Sequence, residues 1–228
     1  MTEVGKAAAG ANENAALLQL LTWLSPSFPV GAFAFSHGLE SAVAARQVRD
    51  AGTLHDWVRA LLEHGSGWND LVLFAEAHAA AGDPARLAEV AELAEALGGT
   101  SERRLETMAL GAAFRTASQP WHEGAAELPD APYPVAVGQL AAAKGVPLLP
   151  ALTAFAHAFA ANLVTSATRL VPLGQSDMVR VLRRLEPVIL ATPARAAGAT
   201  LDDLGSAAIL SEIAAMRHET LQTRLFRS

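Results

Sequence analysis

The chain contains no cysteine, which excludes disulfides, thiolate nucleophiles and cysteine-ligated metal centres. Aromatic residues are scarce, 6% of the chain against 51% hydrophobic residues overall. The core must therefore come mainly from Ala, Leu and Val, which suit close helix packing better than a sheet. Lysine is nearly absent: Lys6 and Lys144 stand alone, neither within G-x-x-x-x-G-K-[ST], so the chain carries no P-loop of its own. A formal net charge of -6 makes the surface repel phosphate backbones. General nucleic-acid binding is excluded on that ground.

Two further absences bear on location. The opening "MTEVGKAAAGANEN" has no apolar run of signal length and reads as a disordered leader over residues 1–14. A cytoplasmic protein is expected. Between Lys144 and Arg169 there is no Asp, Glu, Lys or Arg, a run long enough to be a transmembrane candidate. Pro147, Pro150, His157 and Asn162 interrupt it, and it is rich in Ala. The central helix of a soluble bundle is the expectation, with no membrane partner.

What is present has helical spacing. Leu17, Leu18, Leu21 and Leu24 fall on one face, and Ser25-Pro26 ends that helix. A second helix is expected from Ser36 to Val43. A third starts at Thr53 with Asp56 three residues on, carrying Leu54, Trp57, Val58, Leu61 and Leu62. The next carries Leu71, Phe74, Ala75 and His78. Asp83-Pro84 opens another, with Leu87, Val90, Ala91, Ala94 and Leu97 as its stripe. A helix over 101–116 leads into a proline-rich loop, Ser118 to Pro134, long enough to be functional. Beyond it come an Ala-rich helix, the uncharged one, and one with Met178, Val179, Leu182 and Leu185 facing one way. Thr200 and Asp203 announce the last. No segment sustains period-two alternation. The expectation is an all-α, single-domain bundle of roughly nine or ten helices over residues 15–228.

The stretch "SPSFPVGAFAFSHGLE", Ser25 to Glu40, poses the functional question. Its "AFSHG" superficially matches a hydrolase nucleophile elbow, but that motif needs a strand-to-helix turn above a sheet. Ser36 is more simply a helix N-cap, and a serine hydrolase using Ser36 is the alternative reading. The seven histidines are scattered, and neither H-E-x-x-H nor E-x-x-H occurs. His37 and Glu40, three apart, could supply two ligands on one helical face, too few for a dedicated metal site. What remains is surface: Phe28, Val30 and Phe33 around chain breaks, and a terminus "MRHETLQTRLFRS" in which Arg217, Arg224 and Arg227 flank Leu225-Phe226. Exposed chain ends rarely keep large apolar residues without a cover, and aromatics and arginines dominate binding hot spots.

Four motifs in order carry a resemblance: "SPSFPVGAFAFSHGLE", "RLVPLGQSD" at 169–177, "LDDLGS" at 201–206 and "MRHET…RLFRS" at the end. With these the chain resembles the urease accessory protein F family over residues 15–228. It departs from the family pattern at Gln222-Thr223, where Tyr-Ser is frequent, and at Phe35, where Tyr is common. The resemblance implies an all-α protein without enzymatic activity or cofactor. It implies a homodimeric scaffold joining accessory protein D (also called H) to the nickel-delivering GTPase, accessory protein G. That assembly docks on apo-urease and helps place nickel there, with the scaffold acting on the GTPase cycle. Carried over by motif, Arg224, Leu225, Phe226, Arg227 and Ser228 would dock on accessory protein D/H. Pro29, Phe33, Gln175, Val179 and Leu182 would face the GTPase, and the uncharged helix, through Thr153 and His157, would serve self-association.

Overall fold

A computed structural model describes residues 3–122 and 130–228, with side chains from residue 12 onward. Part of the proline-rich loop, residues 123–129, and the first two residues of the leader lie outside the described residues. The described residues form helices and no strand: α1 (Glu3–Trp23), α2 (Leu39–Ala44), α3 (Ala51–His64), α4 (Ser66–Ala79), α5 (Pro84–Ala96), α6 (Ser101–Ala117), α7 (Tyr133–Ala143), α8 (Leu148–Ala167), α9 (Gln175–Ala196) and α10 (Ile209–His218). The all-α expectation is met.

α4 is the central post. Leu71 through Ala77 are buried without interruption, because α3, α5, α7, α8 and α9 all pack around it. Phe74 of α4 meets Phe155 of α8 with ring centroids 5.3 Å apart. A smaller cluster of Leu73, Ala77, Leu87, Val90, Ala94 and Val135 fills the space among α4, α5 and α7. The expected stripe of α3 is buried as read, Leu54, Trp57, Val58, Leu61 and Leu62. Asp83 caps α5 by accepting from the amides of Ala85 and Arg86, both at 3.1 Å.

Several local expectations are corrected. α1 runs back to Glu3, through the segment read as a leader, as its alanine content permits. Its buried face is Ala16, Leu20 and Trp23, while Leu17, Leu18 and Leu21 face outward. The indole of Trp23, edge-on to Trp121 at 6.0 Å, sets that rotation. α3 is capped by Asp50, not Thr53. The Asp50 carboxylate accepts from the Thr53 amide at 2.8 Å, and Thr53 Oγ1 accepts from the Asp50 amide at 3.1 Å. Thr200 and Asp203 close only a three-residue 3-10 turn, Leu201–Asp203, and α10 begins later at Ile209. Along α9 the buried residues are Val181, Leu185, Ile189, Thr192, Pro193 and Ala196, and Val179 points to solvent.

α8 is long and apolar enough to span a membrane, yet only 39% of that window is buried. Ala151, Leu152, Phe155, Ala160, Leu163 and Val164 face the core, while Leu149, Pro150, His157 and Thr165 remain exposed. It is one wall of the bundle and not its centre.

α7 approaches α4 so closely that a Cβ on Gly138 would lie 2.5 Å from the Phe74 carbonyl oxygen. Gly138→Ala is expected to push the two helices apart and cost about 1–3 kcal/mol. A urea midpoint unchanged from the parent chain would refute this reading of the contact.

Candidate functional site

The stretch 25–38 reaches α2 through a loop with only a one-turn 3-10 helix, Ala32–Ala34, in it. Phe28 folds inward against Phe114 at 5.7 Å and Trp121 at 6.3 Å, leaving Pro29 exposed and Phe33 69% exposed. His37 adopts φ +52°, a left-handed conformation rare for a side-chain-bearing residue. Gly38 follows at φ +74°, where a Cβ would sit 2.7 Å from the Ala215 amide nitrogen of α10. α2 therefore starts at Leu39, not Ser36. His37 and Glu40 turn to different partners: His37 Nε2 pairs with Glu106 Oε1 at 2.9 Å, Glu40 Oε2 with His218 Nε2 at 3.2 Å.

The chain's end occupies the space that this loop creates. Glu40 receives two consecutive tail amides, Leu225 N–H at 2.7 Å and Phe226 N–H at 2.9 Å. The Arg227 amide donates to the Ala34 carbonyl at 2.8 Å, and the Ser36 amide donates to the Ser228 carbonyl at 2.8 Å. Ser36 Oγ donates to that same carbonyl, and Ser228 Oγ donates to Glu106 Oε2 at 2.8 Å. Phe226 is buried beneath the Arg169 guanidinium, 4.8 Å from its ring centre. Phe226 and Ser228 point in while Leu225 and Arg227 point out, the alternation of an extended segment. Arg224 stays partly exposed, bonded to Glu102 Oε1 and, at 3.0 Å, to the Leu221 carbonyl. Glu102 Oε2 also meets His218 Nδ1 at 2.7 Å. His218, wholly buried, is thus clasped between Glu40 of α2 and Glu102 of α6.

Behind the tail lies a buried charge relay. Arg103 bridges Asp70 at 2.6 Å and Glu106 at 3.2 Å. Burial pushes Asp70 above the usual carboxylate range despite Arg103. Burial also opposes the ionisation of Glu106, but His37, Arg103 and Ser228 outweigh it and lower its pKa to about 2. Burial, with Asp70 nearby, raises the Tyr133 phenol well above its ordinary value.

The arrangement holds a peptide; it does not set up a nucleophile. Ser36 is fully buried, its hydroxyl faces Ser228, and the adjacent imidazole is turned to Glu106. Of the residues the sequence singles out, Phe33 and His157 line one cavity together with Thr165. Thr165 touches Met178 at the start of α9, where Gln175 and Val179 are exposed and Leu182 is half-buried. Thr153, one turn before His157 on α8, is half-buried with its hydroxyl on the Leu149 carbonyl at 2.8 Å. The sequence reading missed the receptors of the tail, Glu40, Glu102, Glu106 and His218. The only signal was the i, i+4 spacing of Glu102 and Glu106 on α6.

Glu106→Gln is expected to destabilise the chain at neutral pH by roughly 3 kcal/mol, the scale of breaking a buried ion pair. Because the folded pKa of Glu106 is depressed, from 4.5 to about 2, its contribution is complete above the unfolded value. It is lost as pH falls from about 4.5 toward 2. Asp70, raised by burial and in part by Glu106 itself, acts in the opposite sense. Urea midpoints at pH 7 and pH 3 should converge at the lower pH; a gap of constant size would refute the assignment.

Comparison with known proteins places this geometry. The UreF family model matches residues 48–186. A "Urease accessory protein UreF" of Rhizobium leguminosarum bv. trifolii (strain WSM2304) is 54% identical over 96% of this chain and 99% of its own length. That of Rhodopseudomonas palustris (strain BisA53) is 53% identical over 94% of both. The corresponding protein of Agrobacterium fabrum (strain C58 / ATCC 33970) is 51% identical over 94% of this chain and 97% of its own. With more than half of its residues inside the family model and near-complete overlap with these relatives, the chain belongs to the UreF family.

Proposed function

We propose that the chain is a urease accessory protein that acts without catalysis, as a dimeric scaffold between accessory protein D/H and the nickel-delivering GTPase. In this reading it tunes the GTPase cycle and helps bring nickel to apo-urease in the cytoplasm. The observation that carries it is the near-full-length identity to proteins named urease accessory protein UreF. The geometry is congenial to it. A clasped tail offers Arg224, Leu225 and Arg227 outward in a fixed conformation, which lowers the ordering cost of binding. Phe226 and Ser228 then serve the same surface from beneath, as anchors and not as contacts. Pro29, Phe33, Gln175 and Val179 form the GTPase-facing side, with Leu182 at its base, and Thr153 and His157 on the outer wall of α8 meet a second copy.

Arg224 should carry the docking of accessory protein D/H, since its guanidinium can make paired bonds while its stem packs on apolar neighbours. Arg224→Ala is expected to weaken capture of that protein by about 2 kcal/mol or more, with helical content by circular dichroism unchanged. Equal recovery in a pull-down would count against the assignment. Gln175→Ala should reduce co-purification of accessory protein G; a normal ternary complex on size-exclusion chromatography would remove Gln175 from that surface.

A further inference from the structure

Among the described histidines only His218 has a carboxylate against each ring nitrogen: Nε2 lies 3.2 Å from Glu40 Oε2 and Nδ1 lies 2.7 Å from Glu102 Oε2. The side chain is wholly buried, so water can partner neither nitrogen. A neutral imidazole carries one N–H and one lone pair. One of the two carboxylates would then face that lone pair at hydrogen-bond distance, a repulsive contact in a dry site.

Placing the extra proton on a carboxyl group instead is disfavoured by the surrounding bonds. Both Glu40 oxygens already accept tail amides, Oε1 from Leu225 and Oε2 from Phe226. Glu102 Oε1 accepts from the Arg224 guanidinium. Such donors favour an ionised carboxylate, and of the two groups imidazole is the stronger base in water. With His218 doubly protonated the cluster balances, two carboxylates against an imidazolium and a guanidinium. The other charged groups nearby are committed elsewhere. Glu106, one turn along α6, pairs with His37 and Arg103, Glu219 accepts from the Ser101 amide and hydroxyl, and Arg217 faces solvent. Removing the second proton from the ring therefore leaves an uncompensated negative charge between α2 and α6. The part that can yield is the tail, which belongs to no helix and is held by those same two carboxylates.

We propose that His218 is a proton-operated latch: with both nitrogens protonated it keeps Arg224 to Ser228 on the bundle, and loss of one proton as the pH rises frees them. The latch follows from the geometry alone; its bearing on docking, through the outward Arg224, Leu225 and Arg227, rests on the scaffold reading above.

The test uses the full chain with 13C,15N-labelled His and Phe, followed by NMR between about pH 5 and about pH 9, the interval in which a histidine switch operates. The imidazole signals of His218 report its protonation. The ring signals of Phe226 report whether the tail is docked beneath Arg169, and those of Phe74 report the core; none of these ring carbons exchanges with water. At the acid end both His218 nitrogens should be protonated and Phe226 docked. Phe226 should move to random-coil shifts over the same interval in which the ring loses its second proton, while Phe74 stays in place. His218→Gln, which cannot carry the charge, should leave Phe226 released at every pH. Glu102→Gln keeps the ring and takes away one of its two carboxylates, so both transitions should move together to lower pH. A neutral ring at the acid end, deprotonation with Phe226 unmoved, or release of Phe226 only together with Phe74 would each overturn the latch. Capture of accessory protein D/H that stays constant while Phe226 is released would support the latch and take the tail out of the docking surface, so the two readings fail separately.

Discussion

The carboxylate of Glu106 is the constraint on which the functional face depends. Buried in the middle of α6, it would be costly to ionise alone. It stays charged because His37, Arg103 and Ser228 each supply a donor. Those three come from the opening loop, from α6 itself and from the end of the chain. Satisfying one buried charge thus brings together segments almost two hundred residues apart, and the left-handed backbone of His37 is the local strain that this closure sustains.

Glu40 repeats the device at the next turn of the structure. Its two oxygens gather His218 and the amides of Leu225 and Phe226. The tail has no regular secondary structure, so its backbone polar groups need partners from elsewhere. Carboxylates and the carbonyl of Ala34 supply them. The opening loop and the terminus, which look like two separate adhesive stretches when read along the chain, form one continuous surface. Its inward side chains fasten it and its outward ones remain available.

Much of the scaffold was legible because burial and period coincide. The stripe of α3 and the Asp83-Pro84 start of α5 need only local information. The rotation of α1 did not yield to the same reasoning. Four leucines argue for one face, but Trp23 has more apolar area to bury and a ring partner in Trp121, and tertiary packing decided. The caps slipped for a related cause: Thr53 is a good capping residue, yet which end of a capping box leads depends on where the preceding chain turns, and Thr200 does lead its box but opens only a single 3-10 turn. Glu40, Glu102 and His218 were illegible as a group, since nothing in their spacing says that α2, α6 and α10 converge. Phe33 and His157 were singled out for different purposes, and only the fold reveals that they border one chamber.

The sharing of Glu40 has a consequence for how this end of the molecule breathes. The Leu225 and Phe226 amides can exchange with solvent deuterium only when that carboxylate lets go. Release also deprives His218, and with it the last helix, of an anchor. The final turn of α10 and the residues that follow it therefore open as a single cooperative unit, sheltered well beyond what an irregular terminus would enjoy by itself.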